Sequence, residues 1–106
     1  MPFINLDQVN AKEIVPGFRA AFVHTESMTF AYWTIEAGST LPEHQHIHEQ
    51  VSNVIEGEFD FTLEGETKWL DTGTIVVIPS NVAHGGTAIT DCRVLDVFYP
   101  VREEYK

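Results

Sequence analysis

Nowhere in this 106-residue chain do apolar residues recur at a sustained helical spacing. Short runs of β-branched and aromatic residues recur instead, cut by Gly, Pro and Asn. No other feature constrains the fold as strongly, because a period of two with frequent breaks buries one face of a sheet and cannot build a helical stripe. Phe18 to Thr25 and Met28 to Glu36 read as strands, the second rich in Phe30, Tyr32, Trp33 and Ile35, and Gly38 to Pro42 reads as a break. Gln50 to Ile55 and Glu58 to Leu63 follow, joined at Gly57; in the second, Phe59, Phe61 and Leu63 alternate with Asp60, Thr62 and Glu64. Glu64-Gly65-Glu66 reads as a tight hairpin turn with a positive φ at Gly65. Thr67 to Leu70, Thr74 to Ile78 (ended by Pro79), Thr87 to Thr90 and Cys92 to Tyr99 complete the set. Strands spaced about 8 to 12 residues apart predict one all-β domain over residues 1–106, a sandwich or small barrel.

Composition narrows the partners. The hydrophobic fraction of 43% and charged fraction of 21% are ordinary for a soluble domain. No apolar run approaches the ~20 residues of a membrane span. Six basic against sixteen acidic residues give a net charge of −10, which argues against nucleic acid and anionic membranes as partners. Any anionic substrate would need a local cation. The single cysteine, Cys92, excludes an internal disulfide framework and a Cys-rich zinc module, and reads as a small buried hydrophobe. The opening MPFINLDQVNAKE lacks the basic start and apolar stretch of a signal peptide, so a cytoplasmic location is expected.

Three of the five histidines fall in HQHIHEQ, residues 44–50. On an extended strand, alternate side chains share a face, so His44, His46, His48 and Gln50 would point the same way. Two such imidazoles, joined by ligands from further along the chain, can converge on one first-row divalent ion. A polar strand edge with no metal is the competing reading. A further histidine, His84, follows Gly73, Pro79 and Asn81, whereas His24 has no such setting and reads as structural or surface.

The last strand poses a choice. Cys92, Val94, Asp96 and Phe98 alternate with Arg93, Leu95, Val97 and Tyr99. If the first set faces inward, Asp96 is a partly desolvated carboxylate and a candidate general acid or base. If it faces outward, Asp96 is solvated and Leu95, Val97 and Tyr99 are buried. Periodicity leaves both open. Past Pro100, Arg102 either folds over the barrel mouth to bind a carboxylate bidentately or pairs at the surface with Glu103 or Glu104. Tyr32, Trp33, Trp69 and Tyr99 are either sugar-stacking residues or part of the core or a subunit interface.

Gly38-x5-His44-x-His46-x3-Gln50-x6-Gly57 resembles the first motif of the cupin superfamily, and Gly73-x5-Pro79-x-Asn81-x2-His84 resembles the second. The likeness covers residues 28–100. Gln50 stands where glutamate is usual, Asn81 where glycine is usual, and Ala88 where asparagine is often found. The resemblance implies a jelly-roll barrel (double-stranded β-helix) with a divalent transition metal (Ni, Fe, Mn, Zn or Cu) on His44, His46, Gln50 and His84. His48 and Glu49 are rivals to Gln50, with His48 expected to face away from the ion or lie behind its ligands. DVFYPVREEY, carrying Asp96-x-Phe98-x3-Arg102, together with VIPSNVAHGG and AITDCRV, resembles the pectin-degradation cupins of the KdgF type. That likeness implies an enzyme converting 4,5-unsaturated uronates from pectin or alginate to their linear ketonised form. Asp96 and Arg102 would be catalytic, Phe98 and Arg102 would bind the sugar acid, and two copies would pair, with Phe3, Ile4 and the early strands offering a surface. A metal-dependent dioxygenase, another sugar isomerase or epimerase, and a non-catalytic metal-binding cupin are the alternatives.

Overall fold

The computed structural model describes residues 3–106. They form ten strands: β1 (Lys12–Val15), β2 (Phe18–His24), β3 (Thr29–Ile35), β4 (Thr40–His44), β5 (Glu49–Glu56), β6 (Phe59–Leu63), β7 (Glu66–Leu70), β8 (Ile75–Ile78), β9 (His84–Ala88) and β10 (Cys92–Tyr99). A six-stranded sheet, in the order β1-β2-β3-β10-β5-β8, faces a four-stranded one ordered β4-β9-β6-β7. Neighbours in both sheets run antiparallel, so the all-β expectation holds and the architecture is a two-sheet sandwich. No helix among the described residues is long and apolar enough to cross a membrane.

The core fills the space between the sheets. Phe18, Ala20, Ala31, Trp33, Ile35, Phe59, Ala88, Cys92 and Phe98 are buried in one cluster, with Phe18 packed edge-on against Trp33 at 5.9 Å and against Phe59 at 6.5 Å. Aromatic edges meeting ring faces pack this interior closely and leave one cavity at its open end. Cys92 sits inside it, as its composition suggested. Of the aromatic candidates, Trp33 lines the interior, whereas Trp69 and Tyr99 are each 57% exposed and Tyr32 is 37% exposed, all outside the cavity.

The local differences from the sequence reading have physical causes. The supposed break at Gly38 to Pro42 runs into β4, which tolerates Pro42 because it is an edge strand paired only with β9. The strand expected at Thr87 to Thr90 runs His84–Ala88 instead, three residues earlier. Gly85 and Gly86 hid it, since glycine has low strand propensity; here a Cβ on Gly86 would lie 2.4 Å from the Asp60 carbonyl. Strand β1 was not anticipated. At the β6–β7 turn both Glu64 (φ 48°) and Gly65 (φ 79°) are left-handed, the two-residue loop that matches strand twist. Asn81 also adopts a positive φ, 63°, which suits asparagine standing where glycine is usual.

Candidate metal and acid–base site

HQHIHEQ is not one extended strand. β4 ends at His44, the chain bends through residues 45–48, and β5 begins at Glu49 in the other sheet. A straight strand could not serve both sheets, so the bend brings in the histidines that alternation alone would have lined up. His44 pairs in register with His84 on β9, their ring centroids 4.4 Å apart, and His46 lies 5.0 Å from His84. The ligand nitrogens of His44, His46 and His84 all lie within 4.8 Å of one another.

Each of the three rings is pinned from behind. Nδ1 of His44 donates to the Pro42 carbonyl at 2.9 Å, Nδ1 of His84 to Val82 at 2.9 Å, and Nδ1 of His46 to His48 at 3.1 Å. A carbonyl oxygen only accepts, so Nδ1 carries the proton and Nε2 keeps its lone pair. Yet Nε2 of His46 lies 3.1 Å from Oε1 of Gln50, whose amide nitrogen donates to Ser52 Oγ at 3.0 Å. Two acceptors that close repel unless a cation lies near both. Protonating His46 would not supply it at neutral pH: burial, reinforced by the charges of Arg102 and His84, brings its pKa down to about 4. Burial likewise lowers the pKa of His84. The three histidines can therefore hold a divalent ion, and the Gln50 amide oxygen lies beside one of their nitrogens, that of His46.

The two rivals of Gln50 lie elsewhere. Glu49 is exposed and paired with Tyr99 on the outer side of the sheet. His48 is buried behind the cluster, its ring 5.4 Å from that of His46, with Nδ1 lacking a partner.

The choice left open on β10 resolves inward. Cys92, Asp96 and Phe98 are buried while Arg93 and Tyr99 are exposed. Asp96 Oδ2 accepts a 2.9 Å hydrogen bond from Trp33 Nε1; its Oδ1 is buried without a partner. Burial raises the Asp96 pKa to about 6, opposed by the polar side chains of Ser52, Trp33 and Gln50 and by the charge of Arg102. A carboxyl with that pKa is within reach of both protonation states near neutrality, as general acid–base work requires.

Arg102 is 8% exposed, so the surface reading fails, although its Nη2 does pair with Glu104 Oε2 at 2.7 Å. Its Cζ lies 4.9 Å from the Phe98 ring centroid and 4.3 Å from that of Tyr105. A relay fixes this segment. The Arg102 backbone N–H donates to Thr29 Oγ1 at 2.8 Å, Thr29 Oγ1 meets His24 Nδ1 at 2.9 Å, and His24 Nε2 donates to the Tyr105 carbonyl at 3.2 Å. His24 is structural, as expected. Sequence reasoning missed Trp33 as the partner of Asp96, together with Ser52, Tyr105 and Thr29. Their side chains meet the site only across strand pairs, and inward periodicity was the one signal they offered. The resulting cavity, about 700 Å³ counting its open mouth, is bordered by His44, His84, Gln50, Asp96, Phe98 and Arg102.

Residues 31–98 match the family model of the cupin domain. A 64-residue stretch is 36% identical to the pectin degradation protein KdgF of Dickeya dadantii, covering 58% of each chain. The structure of KdgF from Halomonas sp. matches with a TM-score of 0.89 at 31% identity, covering 98% of this chain and 96% of that one. An RmlC-like cupin from Shewanella frigidimarina matches with a TM-score of 0.94 at 28% identity, covering 100% of this chain and 96% of that one. The clustered histidines, the two-sheet sandwich and these likenesses agree that the chain belongs to the cupin family, as a small member resembling KdgF.

Proposed function

We propose that this cupin is a metal-dependent enzyme that opens 4,5-unsaturated uronate monosaccharides and carries them to the linear ketone. The observation that carries the reading is the buried, unpartnered Oδ1 of Asp96, in the same cavity as the histidine cluster and a buried arginine. The likeness to KdgF supports the substrate class.

The reaction is an isomerisation. The anomeric hydroxyl loses its proton, the bond from C1 to the ring oxygen breaks as C1 becomes a carbonyl, and the enolate left at C5 takes a proton at C4 to become the ketone. Nothing is gained or lost overall, so one group that takes a proton and returns it is sufficient. Oδ1 of Asp96 is that group, with Trp33 holding Oδ2 so that the free oxygen keeps its aim. Arg102 binds the substrate carboxylate and Phe98 walls the ring. A divalent ion on His44, His46, Gln50 and His84 would act as a Lewis acid toward the sugar oxygens.

The test is the loss of near-ultraviolet absorbance of a lyase-generated unsaturated uronate monomer. Purified protein should accelerate it, and a chelator should abolish the acceleration. No acceleration by metal-loaded protein would remove the uronate reading and turn attention to oxygen uptake, the signature of a dioxygenase.

A further inference from the structure

Among the described residues, Arg102 is the one Lys or Arg lining the cavity, in a chain of net charge −10. Only 9% of its side chain is exposed. A guanidinium buried that deeply is strongly destabilising without a counter-charge. Glu104 supplies one through the 2.7 Å contact to Nη2, while its own side chain stays 53% exposed. The pair is therefore lopsided: the cation is fixed inside, and the anion stands at the edge with water beside it. Nε of Arg102 is buried and has no partner, so the guanidinium keeps a donor unused.

The backbone around Glu104 is anchored independently of its side chain. Glu104 lies on the short 3-10 turn Glu103–Tyr105, where Tyr105 stacks on Phe22 at 4.4 Å and its N–H donates to the Arg102 carbonyl at 3.1 Å. The Glu104 carboxylate can swing into water without moving that turn.

We propose that Glu104 is a displaceable occupant of the Arg102 anion position, giving way to ligands that bring a carboxylate of their own and competing with them for it. The proposal rests on Arg102 being the carboxylate-binding group of the preceding section. The exchange keeps the charge of the cavity constant, one carboxylate leaving as another arrives, so Arg102 is paired before and after. A neutral sugar cannot make this exchange: it must strand the guanidinium or accept Glu104 in place. The Arg102 contact also holds the Glu104 carboxyl below the ordinary glutamate range, which keeps it ionised wherever a uronate is.

The experiment is calorimetric titration of metal-loaded protein with galacturonate, a saturated uronate lacking the reacting double bond, and with neutral galactose. Glu104→Gln keeps the shape and removes the competing charge, so galacturonate should bind on the order of tenfold tighter while galactose is unchanged. Glu103→Gln removes the same charge one residue away, where the partner is Lys106 at 3.2 Å, and should change galacturonate affinity by no more than about twofold. Equal galacturonate affinity in wild type and Glu104→Gln, an equal gain in Glu103→Gln, or no binding to Glu104→Gln would each overturn the proposal. Should Glu104→Gln fail to fold, carbon NMR of the wild-type Glu104 carboxyl decides. Saturating galacturonate should move its resonance to that of a solvated glutamate, and no movement overturns the exchange. Failure of the ring-opening assay with these affinities intact would sink the reaction alone.

Discussion

The two sheets build the site in different ways. The four-stranded sheet presents His44 and His84 side by side in register, each ring held by a carbonyl two residues back in its own chain. The six-stranded sheet presents Gln50, Ser52, Asp96 and Phe98 from β5 and β10, and the partners of Asp96 come from other strands. The histidine rings are oriented by local contacts, whereas the Asp96 carboxylate is oriented by a long-range one. Their outer faces differ as well. On the smaller sheet hydroxyls pair across strands, Thr40 with Thr87 at 2.9 Å and Thr62 with Thr67 at 2.7 Å. On the larger one Val23, Phe30, Val97, Val51 and Val77 form a single apolar row across five strands. A metal-holding half should thus respond to changes that leave the acid–base half untouched, and the reverse.

The largest expected effect falls on the histidine half. His84→Ala removes one of three clustered nitrogens, and the purified variant should lose its metal by elemental analysis and react no faster than chelator-treated wild type. Metal retained at full stoichiometry would break the division between the halves.

Asp96→Asn should do the opposite, keeping the metal while the ring-opening rate falls by about 10²- to 10⁴-fold. Retained activity would remove Asp96 from its role. The same variant sharpens the comparison through stability. In the metal-free fold the Asp96 pKa is about 6, raised above its unfolded 3.8 by burial. The folded state then binds the proton more tightly, so stability is fully present below pH 3.8, is lost as pH rises through 6, and stays diminished above it. Chelator-treated Asp96→Asn should therefore be more stable than wild type at pH 7 to 8, by on the order of 3 kcal/mol, and gain nothing below pH 4. An unchanged melting temperature at pH 8 would contradict the burial cost.

Gln50→Glu stands where the halves meet. The carboxylate adds ligand charge, so metal should bind at least as well while Lewis acidity drops and the rate falls by about tenfold. The mildest functional effect concerns pairing. If the homodimer expected from the family likeness forms through the apolar outer face, Val97→Lys should shift light-scattering mass to one chain and leave ring opening within about twofold. Dissociation on altering Ile4, which is 56% exposed, in place of Val97 would move the interface to the early strands.

Much of this was legible in the amino-acid order because local physics decides it. Alternation places Phe59 and Phe61 inward and left-handed residues place the hairpin at Gly65, while His44, His46, Gln50 and His84 were singled out by the likeness of two motifs to the cupins. Glycines concealed β9, and the bend through residues 45–48 concealed how the histidines converge, since alternation knows nothing of a chain crossing between sheets. What only the tertiary structure decided is which face of β10 looks inward. A period of two defines two faces, and here both are largely apolar: Val94 and Phe98 on one, Leu95 and Val97 on the other. Burial of Asp96 and Arg102 follows from where Trp33, Thr29 and Tyr105 stand, and the bond joining Trp33 to Asp96 spans 63 residues of chain. Such contacts have no local signature, because packing of the two sheets creates them.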